Sequence, residues 1–220
     1  MLEHSTSPPE SASEKGAGGI HQKREQILQG AMRIFLTLGY ASTSMDRVAA
    51  EAGVSKQTIY SHFQDKEGLF KALMERVTID RVRDLFGAVE DLSGEPESVL
   101  PRFATVLLTV MADEDYVSLL RLIIAESARF PELAQLYTRT VIQRGRHLLA
   151  HYFSSRPELE IADPEATAQL FIGSLVAYVL AQKILQGEQT IPIERDRIIN
   201  SLVDLVLTPQ NAPVTRSLNH

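Results

Sequence analysis

The sequence predicts an all-α chain of about nine helices: an N-terminal three-helix domain followed by a larger helical C-terminal domain. Three observations carry this. Apolar residues recur at helical spacing along the chain from Ile27 onward; the periodic runs are bounded by capping residues, Gly or Pro; and no stretch alternates long enough for a strand, nor does any segment repeat. The composition agrees. With 220 residues, 44% hydrophobic and 23% charged, and only 12 Gly and 10 Pro, the chain has the balance of one or two ordinary globular domains.

Residues 1–20 are rich in Ser, Pro, Gly and Glu without an apolar face, and are expected to be a disordered tail. Order is expected from near His21. Ile27, Ala31, Ile34, Phe35 and Leu38 then form the stripe of a first helix, closed by Gly39. A short second helix begins at Thr43 or Ser44, with Asp46 placed to complete a capping box, buries Met45, Val48, Ala49 and Ala52, and ends at Gly53. Ser55 caps a third helix over 56–62. Asp65 caps a fourth, whose inward stripe is Leu69, Phe70, Leu73, Met74 and Val77. Further helices are expected over 97–112, 116–127, 131–153, 164–186 and 192–207. Pro209 and Pro213 keep the last residues from being helical. The expected division is a tail (1–20), a first domain (21–66), a second domain (67–207) and a C-terminal tail (208–220).

Composition also narrows the function classes. The chain has no Cys, which removes disulfides, thiolate nucleophiles and cysteine-held metals together and suits a reducing cytoplasm. No apolar stretch near the N-terminus could serve a signal peptide. The longest apolar run, 170–181, is interrupted by Gly173 and Ser174 and is shorter than the ~20 residues a bilayer needs, so it is expected to be a buried helix rather than a membrane span. A net charge of −6 would argue against a polyanionic partner, but it is unevenly spread. Residues 21–86 hold 10 Lys and Arg against 8 Asp and Glu, whereas residues 87–220 hold 11 against 17. No G-x-S-x-G, P-loop or G-x-G-x-x-G is present, and no cofactor box is visible, so neither a catalytic residue nor a cofactor is expected.

The informative stretch is Thr43 to Lys66, TSMDRVAAEAGVSKQTIYSHFQDK, in which two short helices are joined by Ala52-Gly53-Val54-Ser55. This spacing fits a helix-turn-helix. Ala49 supplies the small side chain where the backbones approach, Gly53 the residue tolerant of positive φ, and Ile59 with Phe63 the inward anchors. Lys56, Gln57, Tyr60 and Ser61 must then project outward as a short mixed face of amide, hydroxyl and ammonium groups, suited to a major groove. Lys56 and Lys66 each follow a cap residue, where the helix dipole disfavours a cation, and each placement calls for an anion nearby. A DNA phosphate would supply one.

The run GY, three residues, S-M-D-R-V-A-A-E-A-G-V-S-K-Q-T-I-Y-S-H-F, then D-K-E-G-L resembles the DNA-binding domain of TetR-family transcriptional regulators over about residues 24–69. The resemblance implies backbone-phosphate contacts from Thr43 and Ser44, from Tyr60 and His62, and from Lys66. Ser55, Lys56, Gln57 and Thr58 would face bases or adjacent phosphates of a double-stranded operator. Where the family commonly has Gly in its S-K-G-T run, this chain has Gln57, whose amide could read adenine at about 1–3 kcal/mol of discrimination.

A regulator of this kind is expected to be a cytoplasmic homodimer that answers a small-molecule effector. The apolar helix and the last helix are expected to pair with a second copy through Gly173, Ala177, Ile198, Leu202 and Val206, joined by Ser174, Ile193, Ile199 and Val203. Between the two surfaces, Phe103, Met111, Arg121, Glu126, Tyr137, Gln143, His147, Tyr178 and Gln182 are candidates for lining an effector cavity. Two other functions remain open on the sequence. One is an effector-independent DNA-binding dimer with a structural role on the chromosome. The other is a metal enzyme built on His147 and His151, which stand four apart on one helix but lack an H-E-x-x-H pattern and a local third ligand, so no metal is expected.

Overall fold

The computed structural model describes residues 11–87 and 92–208, and among these it is helical without a strand. The helices, in chain order, are α1 (Ser11–Ser42), α2 (Met45–Glu51) and α3 (Lys56–Phe63). Next comes α4, which runs from Lys66–Glu75 through a π turn (Arg76–Asp80) into Arg81–Phe86. α5 (Pro96–Met111) and α6 (Glu114–Glu126) follow. α7 joins Pro131–Tyr137 to Gln143–Ser154 through a π turn (Thr138–Ile142), and α8 (Pro164–Val179) continues into a third π turn (Leu180–Ile184). α9 (Arg195–Leu207) completes nine helices among the described residues.

Local chemistry explains the short helices. The hydroxyl of Ser44, not Thr43, caps α2 by accepting the Arg47 N–H at 3.3 Å. With the helix starting there, Asp46 is one position too early to close a capping box, and its carboxylate takes the Lys56 ammonium instead. At the other end of α2, Val54 N–H donates to Ala49 O and Gly53 N–H to Ala50 O, with Gly53 at φ 63. This is a Schellman closure that a Cβ would strain. Ser55 then caps α3 through the Thr58 N–H at 3.0 Å.

The step from α3 to α4 is tighter. Asp65 N–H donates to Phe63 O at 2.6 Å around Gln64, held at φ 61 and ψ −59, a γ-turn seldom tolerated by a residue with a side chain. Gly68 is what permits it, since a Cβ there would stand 2.4 Å from Phe63 O.

The chain separates into two compact units at Leu73–Met74 rather than at residue 66. The first half of α4 buries Leu69, Phe70 and Leu73 with the N-terminal residues, and Phe70 meets the rings of Phe35 and Tyr40 edge-on at 4.9 and 5.3 Å. Around them Ile27, Leu28, Ala31, Val48, Ile59 and Phe63 complete the N-terminal core, each such side chain contributing about 1.5–3 kcal/mol when fully buried. Leu38, expected inside, is 36% exposed because the break at Gly39 (φ 76) turns the chain away beneath it. α1 also begins ten residues earlier than expected. Residues 11–20 continue its backbone, while residues 1–10 of the expected tail lie outside the described residues.

In the C-terminal unit, Leu100, Phe103 and Ala104 of α5, Leu149, Tyr152 and Phe153 of α7, and Ala168, Phe171 and Leu175 of α8 form one core, which Ile199, Leu202 and Val203 of α9 close. Tyr152 is anchored by donating its hydroxyl to Gly94 O at 3.0 Å. α9 ends at Leu207, and residues 209–220 lie outside the described residues.

Candidate nucleic-acid interface and effector cavity

The candidate recognition surface is built on α3. Ile59 and Phe63 are buried, which leaves Lys56, Gln57, Tyr60 and Ser61 exposed on one polar face, as the sequence predicts. Gln57 makes no hydrogen bond among the described residues, so its amide is not committed within the fold. The hydroxyls of Ser55 and Thr58 share a 2.7 Å bond at the head of the helix, and half-buried His62 lies beside Phe63. Lys56 is exposed but already paired. Its ammonium sits 2.9 Å from Asp46 Oδ2 and 5.9 Å from the Tyr60 ring, and the Asp46 hydrogen bond, followed by its charge, raises the lysine pKa.

Two of the expected phosphate ligands are placed otherwise. Thr43 is 3% exposed and donates its hydroxyl to Gly39 O at 2.8 Å, because the cap role fell to Ser44 and turned Thr43 inward. Lys66 is half-buried; its ammonium donates to Tyr40 O at 2.9 Å and lies 4.4 Å over the Tyr40 ring. The carbonyls of Tyr40 and Ala41, just past the break of α1 at Gly39, supply a negative partner for this ammonium within the chain. Gln26 plays a corresponding part for α2, donating to Ala52 O at 2.6 Å. The contacts of Lys66 and Gln26 are not legible from spacing, since each links residues 26 positions apart.

The C-terminal unit holds a cavity of about 370 Å3, within the ~300–1,000 Å3 typical of small-molecule sites. Thr78, Ile79, Val82 and Arg83 of α4 form one wall, Phe103, Leu107, Val110 and Met111 of α5 another, and Tyr116, Val141, Arg144, Gly145 and Leu148 of α6 and α7 the rest. Two of the three π turns contribute here, through Thr78 and Ile79 and through Val141, consistent with the frequent placement of such bulges at functional sites.

Of the residues expected to line a cavity, Phe103 and Met111 do. Tyr137 stands behind the wall, its hydroxyl 2.6 Å from that of Tyr116. Burial raises the pKa of both phenols, that of Tyr137 well above its ordinary value, with the charge and hydrogen bond of Tyr116 adding to it. The others lie elsewhere. Gln143 and His147 are on the exposed face of α7, as is His151. Arg121 donates to Lys183 O and Ile184 O at the end of α8, Tyr178 to Ile193 O, and buried Gln182 to Ile191 O. Glu126 accepts the Phe130 N–H through its backbone carbonyl and is likewise outside the lining. Arg121, Tyr178 and Gln182 are thus committed to backbone carbonyls, which a sequence pattern does not separate from ligand contacts.

The family profile "Bacterial regulatory proteins, tetR family" matches residues 27–73, and "AefR-like transcriptional repressor, C-terminal domain" matches residues 98–209, more than half of the chain. The chain belongs to the TetR family. Members are ligand-responsive DNA-binding transcriptional regulators, and this chain is one of them. It is 27% identical to the uncharacterized HTH-type transcriptional regulator YerO of Bacillus subtilis (strain 168) over 85% of its own length, and spans 65% of that relative. A TetR-family regulator from Mesorhizobium loti MAFF303099 superposes with a TM-score of 0.65 at 28% identity, over 86% of this chain and 96% of that one. The flavonoid-responsive regulator FrrA does so at 0.64 and 28%, over 85% and 96%.

Within this TetR-family chain, the surfaces expected to pair two copies divide. Leu202, Ile199 and Val203 are buried in the chain's own core, and Gly173, Ile198 and Val206 are half-buried. Ala177 and Ser174 are exposed, as are Leu170 of α8 at 71% and Leu205 of α9 at 68%, neither anticipated as an outward residue. α8 also proves longer than its apolar run suggests. Pro164–Ile184 is 21 residues with an 18-residue stretch of mean hydropathy 1.3, enough by length and composition to cross a membrane, yet Ala168, Phe171, Leu175 and Val179 at spacings of 3 and 4 sit in the core.

Proposed function

We propose that the chain is a cytoplasmic homodimeric repressor that binds a palindromic double-stranded operator and leaves it when a small molecule fills the C-terminal cavity. The exposed polar face of α3 on two buried anchors is the observation that carries the DNA half of this reading. In it, Gln57 reads a base edge. Ser44, Ser55, Lys56, Thr58, Tyr60 and His62 hold phosphates or adjacent bases. Thr43 and Lys66 act from behind, as the residues that fix where α2 and α4 begin. Repression is supported by the AefR-like description of the C-terminal match.

The cavity supports an effector over a purely structural chromosomal role. Thr78, Ile79 and Val82 face the cavity from the same continuous helix whose first turns, at Leu69 and Phe70, belong to the DNA-binding core. An occupant that displaces this wall shifts α4, and with it the population of dimers whose recognition helices match successive major grooves. The flavonoid-responsive neighbour is a precedent for a small-molecule effector of this kind. No catalytic role is assigned to His147 and His151, which stand on the exposed face of α7 without a third ligand: among the described residues no group of three or more His, Asp or Glu could hold a metal ion.

The test is selection of bound fragments from genomic DNA, followed by titration of variants on the selected site. Tyr60→Phe weakens all sequences similarly and flattens the salt dependence, whereas Gln57→Ala relaxes preference at one base pair per half-site by about 1–3 kcal/mol. Sharper selectivity in Gln57→Ala, or no duplex bound at low ionic strength, would refute the assignment.

A further inference from the structure

The wall of the cavity narrows the chemistry of its occupant. Most of the lining is apolar, and among the described residues its charged members are Arg83 and Arg144, with no carboxylate. The other polar groups are committed. Thr78 donates its hydroxyl to Met74 O at 2.6 Å, and Tyr116 shares its hydrogen with Tyr137. Arg83 is paired with Asp80 at 3.1 Å. Arg144 has no ion pair among the described residues.

The three charge types of guest fare differently here. A cationic guest would meet the guanidiniums of Arg83 and Arg144 and no carboxylate among the described lining residues. A neutral guest gains nothing from the guanidinium of Arg144, which stands at an exposed position on the wall. An anion meets a planar fork that accepts two oxygens at once. The volume corresponds to about a dozen waters at ~30 Å3 each, which suits a body on the order of a dozen to twenty non-hydrogen atoms.

We propose that the occupant is a lipophilic monoanion, an alkyl or aryl body ending in a carboxylate or phenolate that pairs with Arg144 while its apolar part lies against Phe103, Leu107 and Met111. This rests on the reading of the cavity as the effector site.

The full-length dimer is titrated by calorimetry with decanoate, decanol and decylammonium, and with 4-phenylbenzoate and the matching alcohol, while release of the selected operator fragment is followed separately. At least one acid is expected to bind about tenfold more tightly than its alcohol, and decylammonium more weakly than either; the better acid distinguishes an alkyl from an aryl body. Arg144→Gln, at an exposed position, removes the acid's advantage and leaves the alcohol's affinity unchanged. Leu107→Trp, which fills the cavity, weakens all of them. Equal binding of acid and alcohol, a preference for the ammonium, an acid preference that survives Arg144→Gln, or no binding overturns the proposal. Acid-selective binding that leaves the operator bound would keep the ligand class and refute the effector reading. Operator release by a neutral or cationic compound that Leu107→Trp blocks would do the opposite.

Discussion

Asp46 and Lys66 each make an internal contact, Asp46 with the Lys56 ammonium and Lys66 with the Tyr40 carbonyl. Lys66, by following a cap residue, signalled a need for an anion, and that need is met by carbonyls at the end of α1. Lys66→Ala therefore lowers stability, by about 1–2 kcal/mol for a half-buried charged hydrogen bond, measured as a drop in the urea midpoint of the free protein. An unchanged midpoint with weakened DNA binding would return Lys66 to the phosphate set. Asp46 carries a separate expectation. By holding Lys56 at 2.9 Å it competes with phosphate for the same ammonium, so Asp46→Asn raises affinity for random duplex and steepens the salt slope by about one unit per half-site. Anisotropy titrations across salt concentrations read both, and an unaltered slope would show that the pair does not restrain Lys56. The buried anchors Ile59 and Phe63 and the exposed Gln57 and Tyr60 were legible because period and polarity agree there. Thr43 was not, since two adjacent hydroxyls, Thr43 and Ser44, can each start the helix and only packing chooses between them.

Helices were the most legible level of the structure. Expected spans at 97–112, 131–153 and 164–186 fall within a few residues of α5, α7 and α8, because Pro at or near each start and Gly, Asp or Ser at the ends fix where a helix can run. The π turns left no such mark, and two of them contribute to the cavity wall. A pair of buried phenols joins α6 to α7 beside that wall. Burial disfavours the phenolate of both Tyr116 and Tyr137, so each keeps its proton in the folded chain above the ordinary pKa of 10.0, where the unfolded chain loses it. The folded state then binds more protons than the unfolded one. The stabilising contribution is full below about pH 10 and is lost as pH rises through the folded-state values. The stability difference between the wild type and the Tyr116→Phe, Tyr137→Phe double variant should accordingly be constant from about pH 7 to 9 and shrink at higher pH. Urea unfolding at each pH measures it, and a difference that grows with pH would contradict burial as the cause.

At the level of the whole molecule the issue is what covers the outward side of α8 and α9. α8 carries two apolar faces: Ala168, Phe171, Leu175 and Val179 fill the core of their own unit, while Leu170, Ser174, Ala177 and Leu180 point away from it. α9 repeats the division, with Ile199, Leu202 and Val203 inward and Leu205 outward. The near all-round apolarity of residues 170–181 announced two covered sides, but it could not say which residues served which; that follows only from the phase of the helix against α5 and α7. An apolar face left open this way favours a second copy, because the same patch on both copies closes a symmetric pair without further growth. Function points the same way. A recognition helix of eight residues reaches few base edges at about 1–3 kcal/mol each, too little on its own against genomic competition, and two held at a fixed separation multiply that selectivity. Leu170→Glu with Leu205→Glu places charge on this face without touching the monomer core. The expected result is a folded monomer by sedimentation velocity at micromolar concentration, with operator affinity down at least about 100-fold and binding to random duplex reduced far less. A variant that stays dimeric would place the contact elsewhere. One that becomes monomeric yet keeps full operator affinity would show that a single recognition helix suffices, and the palindromic reading would fall with it.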